Sequence, residues 1–267
     1  MGKMPFHDPK IKSLTIRFQL DKKNMKINIT DLKKNFGEKT AVNINSFTIN
    51  EGDMLGLVGN NGAGKTTLFR IILDLIKADS GNVVLTQETE NGNVNEINPA
   101  KSEEWKAITG AYIDEGFLID FLTPEEYFQF IGKINGLSIN ETTERVLEFE
   151  TFMGGEILGQ KKLIRNFSAG NKQKVGIISA LINRPELLIL DEPFNFLDPS
   201  SQNHLKHLLT TYNKETGATI LISSHNLTHT IDISNRIALL ENGTIIRDLP
   251  NDNKSAEKEL DEYFNLE

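Results

Sequence analysis

Apolar and polar residues alternate with a period of two over Leu14 to Leu20, Ile27 to Leu32 and Val42 to Ile49. Neighbouring side chains of a strand point to opposite faces, so these stretches are expected to form a half-buried antiparallel sheet. The period then breaks. Met54 to Val58 is a short, continuous apolar run leading into a glycine-rich turn and a helix-like stretch, Thr66 to Ile76. That order of strand, loop and helix belongs to an α/β fold. Leu187 to Leu190 and Ala218 to Ile222 are runs of the same kind, as expected for parallel strands covered on both faces. With Met54 to Val58 they are expected to make up the central sheet.

Phe121 to Asn166 reads as a separate helical lobe. Thr123-Pro124-Glu125-Glu126 and Ser138-Ile139-Asn140-Glu141 each place a hydroxyl three residues ahead of a glutamate, the spacing at which both side chains cap a helix start. Near the end, Ile237 to Leu240 and Thr244 to Ile246 flank Asn242-Gly243, a hairpin turn signal. Ser255 to Phe264 is expected to be an amphipathic helix, and the asparagine-rich Glu88 to Pro99 a long surface loop.

A chain of 267 residues is long enough for one large α/β domain with a smaller lobe. With 38% hydrophobic and 25% charged residues it has a globular balance. The net charge of -8 argues against nucleic acid as a partner, since phosphate contacts need a surplus of lysine and arginine. Cysteine is absent, which excludes disulfides, thiolate metal sites and cysteine nucleophiles and suits a reducing cytosol. Met1 to Lys12 has no apolar core and does not read as a secretory leader. Apolar runs such as Val175 to Ile182 fall well short of the about 20 residues that span a bilayer, so any membrane role is expected to be peripheral.

Gly59-Asn60-Asn61-Gly62-Ala63-Gly64-Lys65-Thr66-Thr67 fits the Walker A pattern, and it sits where the mechanism needs it, after a strand and at the start of a helix. The glycines let backbone N–H groups wrap phosphate oxygens, and the helix N-terminus adds positive potential. Lys65 is expected to reach the terminal phosphates and the Thr66 hydroxyl to ligate Mg²⁺. Leu187-Leu188-Ile189-Leu190-Asp191-Glu192 carries a buried strand straight into two carboxylates. Asp191 is the expected metal holder and Glu192 the expected general base. His225 follows the next apolar strand and should emerge on the same sheet edge, a position from which it would contact the outermost phosphate.

Phe167-Ser168-Ala169-Gly170-Asn171-Lys172-Gln173-Lys174 resembles the signature of the ABC transporter ATPase family, usually written LSGGQ. Ser168 and Gly170 match, whereas Phe167, Ala169 and Asn171 depart. The resemblance covers nearly all of Met25 to Glu267. It implies an α/β, P-loop NTPase fold of the ABC ATPase type, with a mostly parallel central sheet, an N-terminal antiparallel β subdomain and an inserted α-helical subdomain. The division it suggests is an extension at 1–24, an ATPase domain at 25–248 with its helical part at about 115–166, and a C-terminal helical tail at 249–267.

The resemblance further implies ATP and Mg²⁺ as ligands, with Ser168 and Gly170 binding the γ-phosphate of ATP held by a second ATP-binding subunit, identical or paralogous. Phe36 sits where the family keeps an aromatic that stacks on adenine, although alone it reads as a core residue. Asp198, in Leu197-Asp198, resembles the family's D-loop and is equally a helix N-cap before Pro199. Asp114 stands where the family has a metal-binding glutamine, and an acid there resembles the drug, antibiotic and peptide exporter branch. The implied partner is a separate transmembrane permease, the implied place the cytoplasmic face of the cell membrane. Two other readings stay open: an ABC ATPase working on DNA or ribosomes, disfavoured by the missing basic surplus, and a regulatory module that binds nucleotide without hydrolysis.

Overall fold

The computed structural model describes residues 25–88 and 94–265. In chain order the strands and helices are β1 (Met25–Phe36), β2 (Lys39–Ile49), β3 (Met54–Val58), α1 (Lys65–Ile72), β4 (Ser80–Glu88) and β5 (Val94–Ile97). Then come α2 (Trp105–Ile108), β6 (Thr109–Tyr112), α3 (Pro124–Ile134), α4 (Ile139–Leu147), α5 (Glu150–Met153), α6 (Ala169–Leu181) and β7 (Leu187–Leu190). The rest are α7 (Pro199–Thr216), β8 (Thr219–Ser224), α8 (Leu227–Ile233), β9 (Arg236–Glu241), β10 (Thr244–Pro250) and α9 (Glu257–Asn265).

The strands make an antiparallel sheet ordered β2-β1-β4-β5 and a mixed sheet ordered β10-β9-β3-β8-β7-β6. In the second, β9, β3, β8, β7 and β6 run parallel and β10 returns antiparallel at the edge. The alternation in β1 buries Met25, Ile27 and Ile29, and then its phase slips so that Leu32 is the next residue inside. The cause is an irregularity in the pairing with β4 between Thr30 and Lys33, with Asp31 at φ 49°. One extra residue in a strand turns every later side chain to the other face.

β7 shows why continuous apolar runs belong in the parallel sheet. Leu188 and Leu190 pack into a core shared with α6, α7 and the helical lobe. Leu187 and Ile189 join the opposite core, shared with β1, β2 and α1. Each such side chain contributes roughly 1.5–3 kcal/mol when fully buried, so the strand is held from both faces and its C-terminal end is a rigid platform.

The lobe's helices start where the capping pattern placed them. Thr123 Oγ1 accepts from Glu126 N at 3.3 Å while Glu126 returns a carboxylate to Thr123 N at 2.9 Å. Ser138 and Glu141 repeat the arrangement, each such cap being worth about 1 kcal/mol. Phe128, Val146, Phe149 and Phe152 then continue the apolar core of the sheet into the lobe.

Three expectations need correction or lie out of view. Glu88 to Pro99 is not all loop: Val94–Ile97 pairs with β4, and Ile97 is buried against Leu85. The helix expected to reach Ile76 stops at Ile72, because Asp74 adopts a left-handed conformation at φ 49°. The alternation at Leu14 to Leu20, with the whole 1–24 extension, lies outside the described residues.

Candidate functional site

β3, β7 and β8 run side by side in register, Val58 beside Ser224 and Leu190 beside Ile222. Their C-terminal ends therefore deliver the loop beginning at Gly59, the pair Asp191-Glu192 and His225 to one edge of the sheet. This edge is where ligands bind in open α/β folds.

The phosphate loop is shaped by close backbone approaches. Gly64 has φ 113°, and a Cβ there would run into the Ala41 carbonyl, so no other residue fits. Lys65 follows, only 6% exposed. Its Nζ donates to the carbonyl oxygens of Gly59 at 2.6 Å and Asn60 at 3.3 Å, and lies 3.7 Å from Glu192 Oε1. Burial lowers the pKa of this ammonium, an effect opposed by the neighbouring carboxylates of Glu192 and Asp191. The acidic partners thus offset part of the cost of burying this ammonium at the floor of the loop.

Asp191 is as buried as Lys65. Burial raises its pKa, and hydrogen bonds from Ser223 and Thr66 pull it back. Thr66 Oγ1 donates to Asp191 Oδ2 at 2.5 Å, and Ser223 Oγ donates to Oδ1. A threonine hydroxyl beside a carboxylate is a hard oxygen donor set, the kind that suits Mg²⁺, which keeps several waters and takes few protein ligands. The residues present therefore fit a magnesium-bound triphosphate.

Glu192 is held in a left-handed conformation at φ 47°, which costs of order 1–3 kcal/mol for a residue with a side chain. Its backbone is pinned on both sides: its N–H donates to Ser223 Oγ at 2.9 Å and its carbonyl accepts from Gln173 Nε2 at 3.2 Å. The side chain meets His225, whose Nδ1 is 2.8 Å from Oε2 and whose backbone N–H is 3.3 Å from it. A carboxylate oxygen accepts, so Nδ1 is the donor in this pair.

Phe36 is 54% exposed and lines the same cavity as Lys39, Gly62, Lys65, Thr67 and Glu192. Lys34 lies over its ring, 5.5 Å from the centroid. Asn61, Gly64 and Thr66 complete that wall, and Ala63 turns to an adjoining cleft with Gly59 and Asn60.

Other expected site residues are not brought there. Ser168 caps α6, accepting from Asn171 N at 3.2 Å, and it stays exposed with Ala169. Gly170 is backed by the Phe196 carbonyl, which a Cβ would strike. Neither Ser168 nor Gly170 lines the Lys65 cavity. Asp198 caps α7 through Ser200 N and Ser201 N, and its bond from the Ser201 hydroxyl lowers its pKa first. Asp114 is turned away from Thr66 and Asp191: it takes Arg70 Nη2 on one oxygen at 3.0 Å and Gly116 N on the other at 2.8 Å. Arg70, one helical turn beyond Thr66 on α1, is the cation that carboxylate meets.

Sequence reasoning overlooked Ser223 and read the hairpin tip, Asn242-Gly243, only as a turn. Ser223 bridges Asp191 and Glu192, yet a serine closing an apolar run carries no signal of it. Gly243, in the turn between β9 and β10, donates its N–H to Ala63 O at 2.8 Å and accepts from Asn43 N at 2.7 Å. It fastens the phosphate loop to β2. At φ 79°, a Cβ would lie 2.8 Å from the Ala41 carbonyl carbon. Gly243→Ala is therefore expected to lower the thermal midpoint by about 5 °C or more, combining a left-handed penalty with a clash. A calorimetric scan checks this, and an unchanged midpoint would mean that the tip is not a fixed brace.

The ABC transporter family model matches residues 42–195. The chain is 35% identical over 226 residues to the bacitracin transport ATP-binding protein BcrA of Bacillus licheniformis, covering 85% of this chain and 70% of that protein. It is 32% identical over 242 residues to the lantibiotic transport ATP-binding protein SrtF of Streptococcus pyogenes, covering 90% and 94% respectively. A solved ATP-binding subunit of an ABC transporter shares the fold with a TM-score of 0.75 at 26% identity, covering 89% of this chain and 97% of that one. The chain belongs to the ABC transporter family and is one of its ATP-binding ATPase cassettes.

Proposed function

We propose that this cassette is the motor subunit of an exporter, working as a pair of cassettes that clasp Mg-ATP between them and drive a separate transmembrane permease. The observation that carries the reading is the split site. Lys65, Thr66, Asp191, Glu192 and His225 meet at one sheet edge, whereas Ser168 and Gly170 remain at the surface outside that cavity. A phosphate bound over Lys65 is then completed by the signature of a second chain. In this scheme Thr66 and Asp191 would hold Mg²⁺, which would neutralise phosphate charge when bound. Glu192 accepts the proton of the attacking water, held at the angle that His225 and the pinned backbone impose. Phe36 stacks on the adenine, and Asp198 carries the state of one site to the other.

No helix among the described residues is long and apolar enough to cross a membrane, in keeping with a peripheral place at the inner face through the permease. The named transport of bacitracin and lantibiotic by its relatives favours an antibiotic or peptide as cargo. The test is assembly. With Glu192→Gln, added Mg-ATP is expected to double the molar mass measured by light scattering, and Ser168→Arg in that background to abolish the doubling. A single cassette with ATP bound and no change of mass would overturn the paired mechanism.

A further inference from the structure

Building on the nucleotide reading above, we propose that Lys39 is a second phosphate-binding cation, acting on the bound nucleotide from the solvent side of the loop while Lys65 acts from within. Phe36 and Lys39 are register partners across the turn Gly37-Glu38 that joins β1 to β2. The turn thus presents an aromatic ring and an ammonium side by side at the mouth of a cavity of about 310 Å³, whose floor holds Lys65, Thr66 and Glu192. Lys39 Nζ stands 3.5 Å from the place a Cβ on Gly62 would occupy. It sits on the crest of the phosphate loop, overlooking both this cavity and the adjoining cleft beyond Asn61.

The charges explain what Lys39 is for. At the floor Lys65 is already engaged by the carbonyls of Gly59 and Asn60 and lies beside Glu192. Mg-ATP keeps a net negative charge that one ammonium does not exhaust, and Lys39 offers the remainder a partner. Among the described residues Lys39 forms no ion pair, although Glu192 and Glu241 line the two hollows it overlooks. An ammonium on a flexible four-carbon stem, with three donors uncommitted, can swing onto phosphate oxygens as they arrive. An exposed lysine elsewhere on the surface has no such target.

The experiment is calorimetric titration of the full chain and its Lys39→Gln and Lys39→Arg variants with Mg-ATP and Mg-ADP, and with adenosine by competition. Lys39 is exposed, so both variants are expected to keep the wild-type circular dichroism. Lys39→Gln should bind Mg-ATP and Mg-ADP about fivefold more weakly, the scale of one partly screened charge pair. Adenosine should be unaffected, and Lys39→Arg should stay within about twofold of wild type, since it keeps the charge. Equal Mg-ATP affinity in Lys39→Gln would overturn the proposal, as would a matching loss for adenosine, which would make Lys39 a contact of base or sugar. Folded wild-type chain that binds no Mg-ATP would instead sink the nucleotide reading itself.

Discussion

Glu192→Gln will bind Mg-ATP about as tightly as the wild type and hydrolyse it at least about a hundredfold more slowly, the usual worth of a positioned general base. The expectation follows from what the change leaves alone. Glutamine has the same shape, and the backbone bonds to Ser223 and Gln173 that hold this position at φ 47° do not involve the side chain. Its amide oxygen still accepts from His225 Nδ1, and Lys65 keeps its two loop carbonyls. What disappears is the only group at this position able to take a proton from water. Phosphate release at saturating ATP, read beside equilibrium binding, checks both halves. Turnover within about threefold of wild type, well under the range for a lost base, would place the proton acceptor elsewhere.

Lys65→Ala should have the opposite profile, losing Mg-ATP binding by about a hundredfold or more, because each charge-assisted hydrogen bond to a phosphate is worth about 1.5–3 kcal/mol. The loss has a second source. Without the ammonium, Asp191 and Glu192 face the incoming phosphates with no buried countercharge, and the carbonyls of Gly59 and Asn60 lose their donor. Lys65→Arg should not rescue, since the planar guanidinium needs more room than a point charge held between two loop carbonyls. Titration of both variants with Mg-ATP is the measurement. Near wild-type affinity in Lys65→Ala would remove the cation from the phosphate site.

Much of this molecule was legible before any coordinates. β7 could be read because both its faces are buried, so four apolar residues had to end abruptly at Asp191 and Glu192. The lobe helices could be read because capping is local: Thr123 and Ser138 need only the residue three places on. What stayed hidden depends on partners far away in sequence. Val94–Ile97 looks like loop until β4 offers it an edge, and Ile97 is its sole buried residue. Asp114 stands at a metal-binding position by resemblance, and its pairing with Arg70 depends on a residue far back in the chain. Ser223 and Lys39 are ordinary residues by pattern; their meaning comes from the carboxylates and the glycine crest that the fold sets beside them.

The brace that Gly243 places on Ala63 and Asn43 ties the shape of the phosphate loop to a distant segment of the chain. Ala63 and Gly243 are far apart in sequence, so the phosphate loop reaches its final shape only when the β9–β10 hairpin has docked on β2 and β3. Until then the loop lacks the donor that holds Ala63, and the edge of β3 waits for β9. Loosening of the hairpin would release Ala63 without altering any residue of the Asp191–Glu192 pair.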